Sequence, residues 1–400
     1  MTTMLPDPTS SERISSRTRL LAALLQNRGR SRSELVSLLG LSRQTVTTLV
    51  AEAEQAGLVE QRVRSEEAAG PVMGRPPLRI SLASDAAFGV GIEIAHDHVR
   101  SAVCNVNGEV LTLHSAPIDI GTHATRIFDL AAELAFSALA ESGVPRSKVM
   151  GAGAALPAPV DARNGTVHTR DFLPAWRGTH PAAALRERLE MPVRLANDAY
   201  AGALGEWLFG AAQAVSGALY VRLSAGIGVG LILGGRPYTG SGGIAGELGH
   251  TYVSDQGTIC RCGNRGCLET IAGTAAVVAR LEQGRKQCVS SAELIGLAHE
   301  GHRSARRALT DAGDAVGRVL AGAVNLLNPD RVIVGGDLAA AGAIVTDAIR
   351  AGVARGAVAP AAETVEVVTG ALGERAEALG AAAIQLERAP AVLAARLEAA

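Results

Sequence analysis

Apolar positions in the first part of the chain recur at the 3.6-residue spacing of a helix in three successive stretches. The first covers residues 17–25 and is followed by a glycine that predicts its end. A second helix is predicted to begin at Ser31 or Ser33, of which Ser33 can supply the cap, and a third to begin at the cap Ser42 and end near Gly57. The second and third helices are joined by the short text LGLS. This layout is typical of a helix-turn-helix, in which the third helix offers polar side chains to DNA bases.

Two short alternating stretches, LVEQRV and LRISL, follow on either side of a Gly/Pro-bearing tip, and together they predict a β-hairpin wing. Arg62, Arg64 and Arg79 on this hairpin suit contacts to phosphates. The tip text Gly74-Arg75-Pro76 resembles arms that enter an A·T-rich minor groove. The alternative is a protein-interaction module in which Arg75 is a solvated turn residue. The residues predicted to contact DNA are Arg32, Ser42, Arg43, Gln44, Thr45, Thr47, Arg64 and Arg75.

After residue 84 the pattern changes to β-rich runs separated by glycines. The text FGVGIEIAHDHVRSAVCNVNGEVL predicts two strands with a turn at Asn107-Gly108, and SGALYVRLSAGIGVGLILGGRPYTG repeats the pattern later. The two copies are separated by alternating helices and strands. This arrangement indicates a duplicated α/β domain with a ligand-binding cleft between its halves.

Composition supports two or three globular domains and a cytoplasmic location. The chain has 400 residues, of which 48% are hydrophobic, yet it contains no apolar run long enough to span a membrane and no apolar leader. Charge is uneven, because residues 1–80 carry 11 arginines against 8 acids, a net of +3, and the rest carries a net of −4. The predicted divisions are a flexible stretch at residues 1–14, a DNA-binding domain at 15–84 and a ligand-binding and oligomerisation domain at 85–390.

The text RLANDAYAGALGEW contains a pair of polar residues, Asn197 and Asp198, between a predicted strand and a predicted helix. Side chains at the carboxyl end of a strand face the cleft of an α/β fold, so Asp198 can accept a proton from a bound hydroxyl. The alternative is that Asp198 only caps the helix that follows.

The texts GELGH and CRCGNRGCLET bring together one histidine and three cysteines, His250, Cys260, Cys262 and Cys267, within the loop 250–269. One nitrogen and three sulfur ligands are the set of a closed, structural zinc site, and no position remains open for catalysis. The alternative, three buried free cysteines, does not account for the two glycines inside so tight a loop. Cys104 and Cys288 are interpreted as ordinary core or surface residues.

The chain resembles the ROK family of repressors, unassigned open reading frames and sugar kinases over residues 15–385. The resemblance rests on the order of winged helix, duplicated α/β domain, Asn-Asp pair, GELGH and CRCGNRGCLE. The resemblance implies a winged helix-turn-helix followed by an actin-like, sugar-kinase-like (ribonuclease H-like) α/β domain. It also implies that His250 holds zinc through one nitrogen and faces a sugar with the other. The residues that it assigns to a bound sugar are Asn197, Asp198, Glu247, His250 and Glu269, with Asp198 at the position of the kinase base.

Three loops depart from the kinase pattern. The loop that reads DxGxT in the kinases runs from Glu93 to Asp97 here, so that a glycine becomes alanine and a threonine becomes aspartate. The second phosphate loop, usually GTGIG, lacks its threonine at Ala225, and the late glycine text ends in Asp337. Carboxylates near phosphate oxygens repel them, so we expect ATP to bind poorly. The NLPGW text of the family begins with Phe172 here, which indicates a ligand other than glucose.

The sequence therefore predicts a sugar-responsive transcriptional repressor of carbohydrate metabolism that binds operator DNA as a homodimer or homotetramer, contains zinc and is not an enzyme. Two alternatives remain open at this point. One is an ATP-dependent sugar kinase with an accessory DNA-binding domain, and the other is a constitutive DNA-binding protein that uses its sugar-kinase fold only to dimerise.

Overall fold

The computed structural model describes residues 15–26, 29–63, 78–161, 165–168, 172–255, 257–282 and 290–399. Its N-terminal unit contains the helices α1 (Ser16–Gln26), α2 (Arg32–Leu39) and α3 (Arg43–Gln55). The cap of α2 is Ser31 and not Ser33, because Ser31 and Glu34 form a reciprocal capping box. Ser42 caps α3 as predicted, and its side chain accepts a hydrogen bond from the Thr45 amide.

The predicted wing is present as an antiparallel pair of strands, β1 (Val59–Val63) and β2 (Leu78–Leu82), in which Gln61 lies opposite Ile80. The tip of the wing, with the predicted DNA contacts Arg64 and Arg75, lies outside the described residues, as does Cys288.

The first lobe of the α/β part is built on a mixed sheet of β3 (Phe88–Ile94), β4 (His98–Asn105), β5 (Val110–Pro117), β6 (Val149–Leu156) and β9 (Val193–Asn197). Its order across the sheet is β5-β4-β3-β6-β9, with β3 antiparallel to β4 and parallel to β6. The text predicted to hold two strands holds β3, β4 and the start of β5, because an additional turn at residues 95–97 interrupts it. The remaining elements are α4 (Ala124–Ser142), α5 (Pro181–Leu189) and a small hairpin of β7 (Val160–Asp161) and β8 (Thr166–Val167).

The second lobe repeats this topology. Its sheet has the order β12-β11-β10-β13-β14, formed by β10 (Ala218–Leu223), β11 (Ile227–Leu233), β12 (Arg236–Tyr238), β13 (Arg331–Gly335) and β14 (Glu366–Thr369). The helices that follow β12 are α7 (Glu269–Ala272), α8 (Thr274–Glu282), α9 (Ser291–His299), α10 (Arg303–Leu327), α11 (Ala343–Gly356) and α12 (Ala359–Thr364). The predicted duplication is therefore confirmed in the strand order of both lobes.

Two helices, α6 (Asp198–Phe209) and α13 (Ala376–Leu386), pack against each other and against the sheets at the centre of the molecule. Their close approach requires glycine at the contact. A Cβ at Gly380 of α13 would lie 1.6 Å from the carbonyl oxygen of Ala201 in α6. A Cβ at Gly91 of β3 would lie 1.8 Å from the Ala378 carbonyl oxygen. A side chain at Gly380 would separate α13 from α6, whose first turn reaches the cleft, and a side chain at Gly91 would separate α13 from β3.

The last helix, α14 (Ala389–Ala399), packs against α1 of the DNA-binding unit. Leu21 and Leu24 of α1 belong to one apolar cluster with Leu393 and Ala394 of α14. The α/β part and the winged helix therefore share a hydrophobic core, and this helix extends past the predicted bound at residue 390. Within the part of the chain that the structure describes, no helix is long and apolar enough to cross a membrane.

Candidate functional site

The N-terminal half of α3 presents a polar, solvent-exposed face. Arg43, Gln44, Thr45 and Thr47 are all exposed, whereas Val46 of the same turns is fully buried. The hydroxyl of Thr47 donates to the Arg43 carbonyl at 2.9 Å, and Thr45 contacts the Ser42 hydroxyl at 2.8 Å. Arg43 makes no ion pair with any residue that the structure describes. Among the described residues, the face therefore offers an unpaired guanidinium and a side-chain amide on a helix, which is the requirement for reading base edges.

Several other arginines among the described residues of the N-terminal unit have internal partners. Arg79, which the sequence assigned to phosphate contacts, donates to Glu34 at 2.6 Å and to the Gly29 carbonyl at 3.0 Å. Arg17 pairs with Glu52 at 2.9 Å. Arg32 lies half-buried at the start of α2, and its Nε has no hydrogen-bond partner among the described residues. Arg79 therefore stabilises the wing against α2, and Arg43 is the better candidate for DNA contact.

The four predicted metal ligands lie together. One ligand atom from each of His250, Cys260, Cys262 and Cys267 falls within 4.8 Å of the others. The Sγ atoms of Cys262 and Cys267 are 3.7 Å apart, and Cys260 Sγ is 3.4 Å from His250 Nδ1. Two thiolates bound to a tetrahedral zinc at about 2.3 Å are separated by about 3.8 Å. The donor set and its spacing therefore fit a tetrahedral zinc ion.

Glycines shape the loop that carries the cysteines. Gly263 and Gly266 both have positive φ angles, 90° and 70°. A Cβ at Gly266 would also lie 1.8 Å from the Ser254 carbonyl oxygen. Two isolated bridges, Tyr252 with Cys267 and Ile259 with Arg265, fold the loop back on itself. The two glycines inside the cysteine text are therefore required by the backbone path.

The five residues predicted to contact a sugar line one cleft between the two lobes. Asn197 and Asp198 come from the junction of β9 and α6, Glu247 and His250 from the turn after β12, and Glu269 from the start of α7. The cleft is narrow and polar, and the ring of Phe172 stands at its side with its centroid 5.4 Å from that of His250. Elements distant in sequence thus deliver the predicted set to one place.

Asn197 and Asp198 have separate roles. Asn197 is the cap of α6, since its side chain accepts from the Tyr200 amide at 3.2 Å and donates to the Ala158 carbonyl at 3.3 Å. Asp198 is buried, and its Oδ1 accepts from the Ala199 amide at 2.8 Å. Burial raises the pKa of the Asp198 carboxyl, and the positive charge of Arg222 opposes that rise. Asp198 is therefore a buried acceptor with one oxygen, Oδ2, directed at a cation.

The other two acids of the cleft differ in their partners. Glu269 is held by Arg261, whose Nε donates to it at 2.8 Å, and by the Ile227 amide at 3.1 Å. Glu247 lies 3.6 Å from Nε2 of His250. Burial and the neighbouring charges of Asp198 and Glu269 raise the pKa of Glu247 to about 7. Nδ1 of His250 thus faces Cys260, while Nε2 faces this acid.

Sequence reasoning missed three residues of the cleft, Arg222, Arg261 and His96. Arg222 is the charged residue in the otherwise apolar strand text ALYVRL, and a lone charge in a buried strand is the signal that could have found it. It is almost fully buried and pairs with Glu93, Asp198 and Glu377. Arg261 lies inside the cysteine text and His96 inside the loop from Glu93 to Asp97, but neither pattern relates the two residues, so only the fold brings them together.

A second cavity of about 540 Å³ adjoins the cleft. It is lined by Asp97 from the loop after β3, by Gly335, Gly336 and Asp337 from the end of β13, and by Ile295 of α9. The Asp337 amide donates to Ser224 at 3.0 Å. Burial raises the pKa of the Asp337 carboxyl; the charge of Arg222 opposes that rise, and the charge of Asp97 adds to it. The two acids that replace kinase residues therefore face one cavity.

Comparison with known proteins gives matches to both parts of the chain. The profile of the ROK family matches residues 89–388, and that of the MarR family matches residues 15–69. A xylose repressor of Caldicellulosiruptor bescii is 28% identical over 83% of this chain and 85% of its own length. A glucokinase of Thermotoga maritima is 35% identical over 59% of this chain and 79% of its own length. The repressor thus aligns with both parts of the chain, and the kinase with a shorter portion of it.

A solved structure supports the same relationship. The crystal structure of a ROK family transcriptional regulator, described as a homologue of the Escherichia coli MLC protein, superposes with a TM-score of 0.74 at 25% sequence identity and covers 96% of this chain and 98% of its own. The predicted fold class, a winged helix-turn-helix followed by a sugar-kinase-like α/β domain, is confirmed by these matches. The ROK profile covers three quarters of the sequence, and this chain belongs to the ROK family.

Proposed function

We propose that this chain is a sugar-responsive transcriptional repressor that binds operator DNA through α3 and the wing and binds its effector in the cleft between the lobes. One observation carries the proposal: the same chain has an exposed, polar helix α3 and a cleft lined by the five residues predicted to contact a sugar. A ROK regulator that matches 96% of the chain, and a xylose repressor that matches 83%, support it. The protein would act in the cytoplasm, on genes of carbohydrate metabolism.

Sugar hydroxyls have acceptors and donors in this cleft. Asp198 and Glu269 offer carboxylate oxygens, which form charge-assisted hydrogen bonds with hydroxyl groups. Asn197 and His250 add an amide and a ring nitrogen, and Glu247 can accept or donate according to its protonation. A monosaccharide held by these five side chains would contact both lobes, because Asn197 and Asp198 belong to the first and the other three to the second.

Zinc in the loop 250–269 would brace this pocket. The metal would be held by His250, Cys260, Cys262 and Cys267, and as a closed tetrahedral site it would supply structure and no catalysis. Nδ1 of His250 would face the metal and Nε2 the pocket, so the ion would fix the ring that contacts the sugar. The loop also carries Arg261, the partner of Glu269.

Binding without phosphorylation follows from the charges around Asp198. A kinase base takes a proton from the sugar hydroxyl while ATP approaches from the adjoining cavity. Here Arg222 lies 3.3 Å from Asp198, and the adjoining cavity carries Asp97 and Asp337. Like charges about 4 Å apart repel by about 4 kcal/mol at an effective dielectric of 20, which disfavours the phosphates of ATP.

An ATP-dependent sugar kinase with an accessory DNA-binding domain is the second candidate. It is favoured by the retention of Asp198 and by the 35% identity to a glucokinase. The three altered loops and the pairing of Asp198 with Arg222 argue against it. In the first candidate the chain would bind paired half-sites as a homodimer or homotetramer, with domains at 15–84 and 85–390 and with α14 joining them.

A thermal-shift screen of D-xylose, D-glucose, N-acetylglucosamine and their phosphate esters tests the proposal on the full chain. A ligand at 100 times its dissociation constant adds about 2.7 kcal/mol to the free energy of unfolding. The sugar that stabilises the protein should also release it from operator DNA in a mobility-shift assay. Stabilisation that leaves DNA binding unchanged would contradict the regulatory role, and sustained ADP release with ATP and magnesium would favour the kinase.

A further inference from the structure

Arg222 of β10 lies between three carboxylates from different elements. Its Nη1 is 3.3 Å from Asp198 Oδ2, its Nη2 is 3.4 Å from Glu93 Oε1, and its Nε is 3.2 Å from Glu377 Oε1. The side chain is only 4% exposed. It lines both the cleft that contains the five residues predicted to contact a sugar and the adjoining cavity. Arg222 therefore forms part of the wall that the two spaces share. Each of its nitrogens lies within 3.4 Å of a carboxylate oxygen, and Nη2 donates a hydrogen bond to Glu93.

The other arginines along this wall are likewise paired. Arg100 donates to Glu93 at 2.6 Å and pairs with Glu374 at 3.2 Å. Arg261 is held by Glu269. Among the described residues that line either space, these two and Arg222 are the arginines, and none is without a carboxylate partner.

Two acids without an arginine partner line the adjoining cavity, on the side of Arg222 away from the cleft. Asp337 lines the adjoining cavity, and the ion pairs found among the described residues include none for it. Asp97 lines the same cavity, and its carboxylate contacts His98 at 2.7 Å. The space beyond Asp198 is therefore bounded by Asp337, for which the described residues supply no ion pair, and by Asp97, which is paired with His98. The arginines nearby are each already paired with a carboxylate.

We infer that the effector is a sugar without negative charge whose hydroxyl facing Asp198 is free, and that a phosphate ester at this hydroxyl is rejected. The inference rests on the proposed function, since it assigns the class of ligand to the same cleft. In the family the hydroxyl at the aspartate is the one that kinases phosphorylate, so its ester would direct the phosphate at Asp198 and toward Asp97 and Asp337. A dianion there would meet repulsion without a free cation to offset it.

Calorimetry with the full chain at neutral pH tests the inference with matched ligands, namely D-glucose with glucose 6-phosphate and N-acetylglucosamine with its 6-phosphate, together with D-xylose. We expect at least one free sugar to bind and any phosphate ester to bind at least 100-fold more weakly than its free sugar. An ester that binds as tightly as its free sugar, or more tightly, overturns the inference and leaves the proposed repressor intact. If neither free sugars nor esters bind, the inference and the proposed function both fail.

A pair of variants separates charge from simple lack of space. Asp337→Asn, and Asp97→Asn combined with Asp337→Asn, remove negative charge beyond the wall at nearly constant volume. We expect the affinity for the ester of the best sugar to rise about tenfold while the affinity for the free sugar stays within twofold. The matched control is Asp347→Asn, an exposed acid paired with Arg350 on α11, which should change neither affinity. Ester affinities that are unchanged in both test variants overturn the electrostatic explanation.

Discussion

The Nε2 atom of His96 lies 2.7 Å from Nη1 of Arg261, and this contact joins the loop after β3 in the first lobe to the metal loop of the second. Burial, and next to it the charge of Arg261, lowers the pKa of His96 to about 4. The ring is therefore neutral near pH 7, so that Nε2 can accept a hydrogen bond from the guanidinium. Because Arg261 also holds Glu269, the contact connects the first lobe to one of the five residues predicted to contact a sugar.

We expect His96→Ala to weaken binding of the best sugar by about 1 to 1.5 kcal/mol, the net value of one hydrogen bond and up to a tenfold loss of affinity. The contact requires the lobes to be close, so its loss disfavours the closed cleft. Calorimetry measures the affinity. His114→Ala, on β5 beside the exposed Glu141, is the control and should have no effect. Equal affinities in the wild type and in His96→Ala would contradict a role for this contact in closure.

Arg43→Ala should reduce discrimination between DNA sites. Arg43 is exposed at the start of α3 and makes no ion pair with described residues, so it is available to a base edge. A bidentate contact to a base is worth about 1 to 3 kcal/mol of discrimination. Selection from random DNA, followed by titration of the selected and random sequences, measures both affinities. Arg307→Ala, an exposed arginine on α10, is the control. Equal losses on selected and random DNA would show that Arg43 contacts only phosphates.

Elemental analysis should find about one zinc per chain, and Cys262→Ser should lower the zinc content, the melting temperature and the affinity for sugar. The serine hydroxyl is a poor zinc ligand, and without the ion the loop that carries Arg261 loses its anchor. Cys104→Ala is the matched control, because Cys104 is a buried cysteine of β4 far from the metal loop in sequence. A zinc-free preparation that melts at the same temperature as the untreated protein would contradict a structural role for zinc.

Much of this architecture could be predicted because its signals are local. The cap at Ser42, the alternating wing strands and the glycines of the cysteine loop each act within a few residues, and the structure has them where the pattern indicates. The cap of α2 was assigned to the wrong serine because both serines precede the same apolar run. The choice is decided by Glu34, which completes a capping box with Ser31 only.

The parts that could not be predicted depend on residues distant in sequence. Arg222 meets Glu377 only because β10 and α13 pack in one core, and no spacing rule relates positions so far apart. Arg79 was interpreted as a phosphate contact, since a sequence does not reveal that Glu34 lies opposite it. Charged residues therefore needed the fold before their partners could be named, whereas helix caps and metal-ligand spacing did not.

The stability of the protein should depend on His98 at mildly alkaline pH. Burial alone would lower the pKa of His98, but the carboxylates of Asp97 and Glu93 outweigh it and raise that pKa to about 9. A raised pKa means that the folded state holds the proton more tightly than the unfolded chain. The stabilisation is thus complete below about pH 6.5 and is lost as the pH rises through about 9.

The measurement is the free energy of unfolding of the wild type and of His98→Asn between pH 6 and pH 9.5. We expect the variant to be less stable by about 1 to 2 kcal/mol at pH 6 and the difference to shrink toward pH 9.5. This expected loss of stability is smaller than the free energy that corresponds to the full pKa shift, because solvent screens the charges of a partly exposed pair. His114→Asn serves as the control at a half-buried histidine of β5. A difference that is constant across this range would show that His98 contributes by packing and not by its charge.

Asp198→Asn separates a sensor from a kinase most sharply. The substitution keeps the size of the side chain and removes its charge, so in a sensor it should weaken binding of the best sugar by about 1.5 to 3 kcal/mol, the range for a hydrogen bond to a charged group. Operator binding without sugar should be unchanged, because Asp198 lies in the cleft of the α/β part and the recognition helix lies in another unit.

A kinase would respond to the same change by losing turnover, while its affinity for substrate would hardly alter, because a general base acts mainly in the transition state. Calorimetry with and without ATP and magnesium, beside a coupled assay of ADP release, distinguishes the two responses. Asp311→Asn, an exposed acid paired with Arg307, is the matched control for loss of a carboxylate. If the protein is a sensor, Asp198 takes part in binding alone. Turnover in the wild type that disappears in Asp198→Asn would therefore show that the protein is an enzyme.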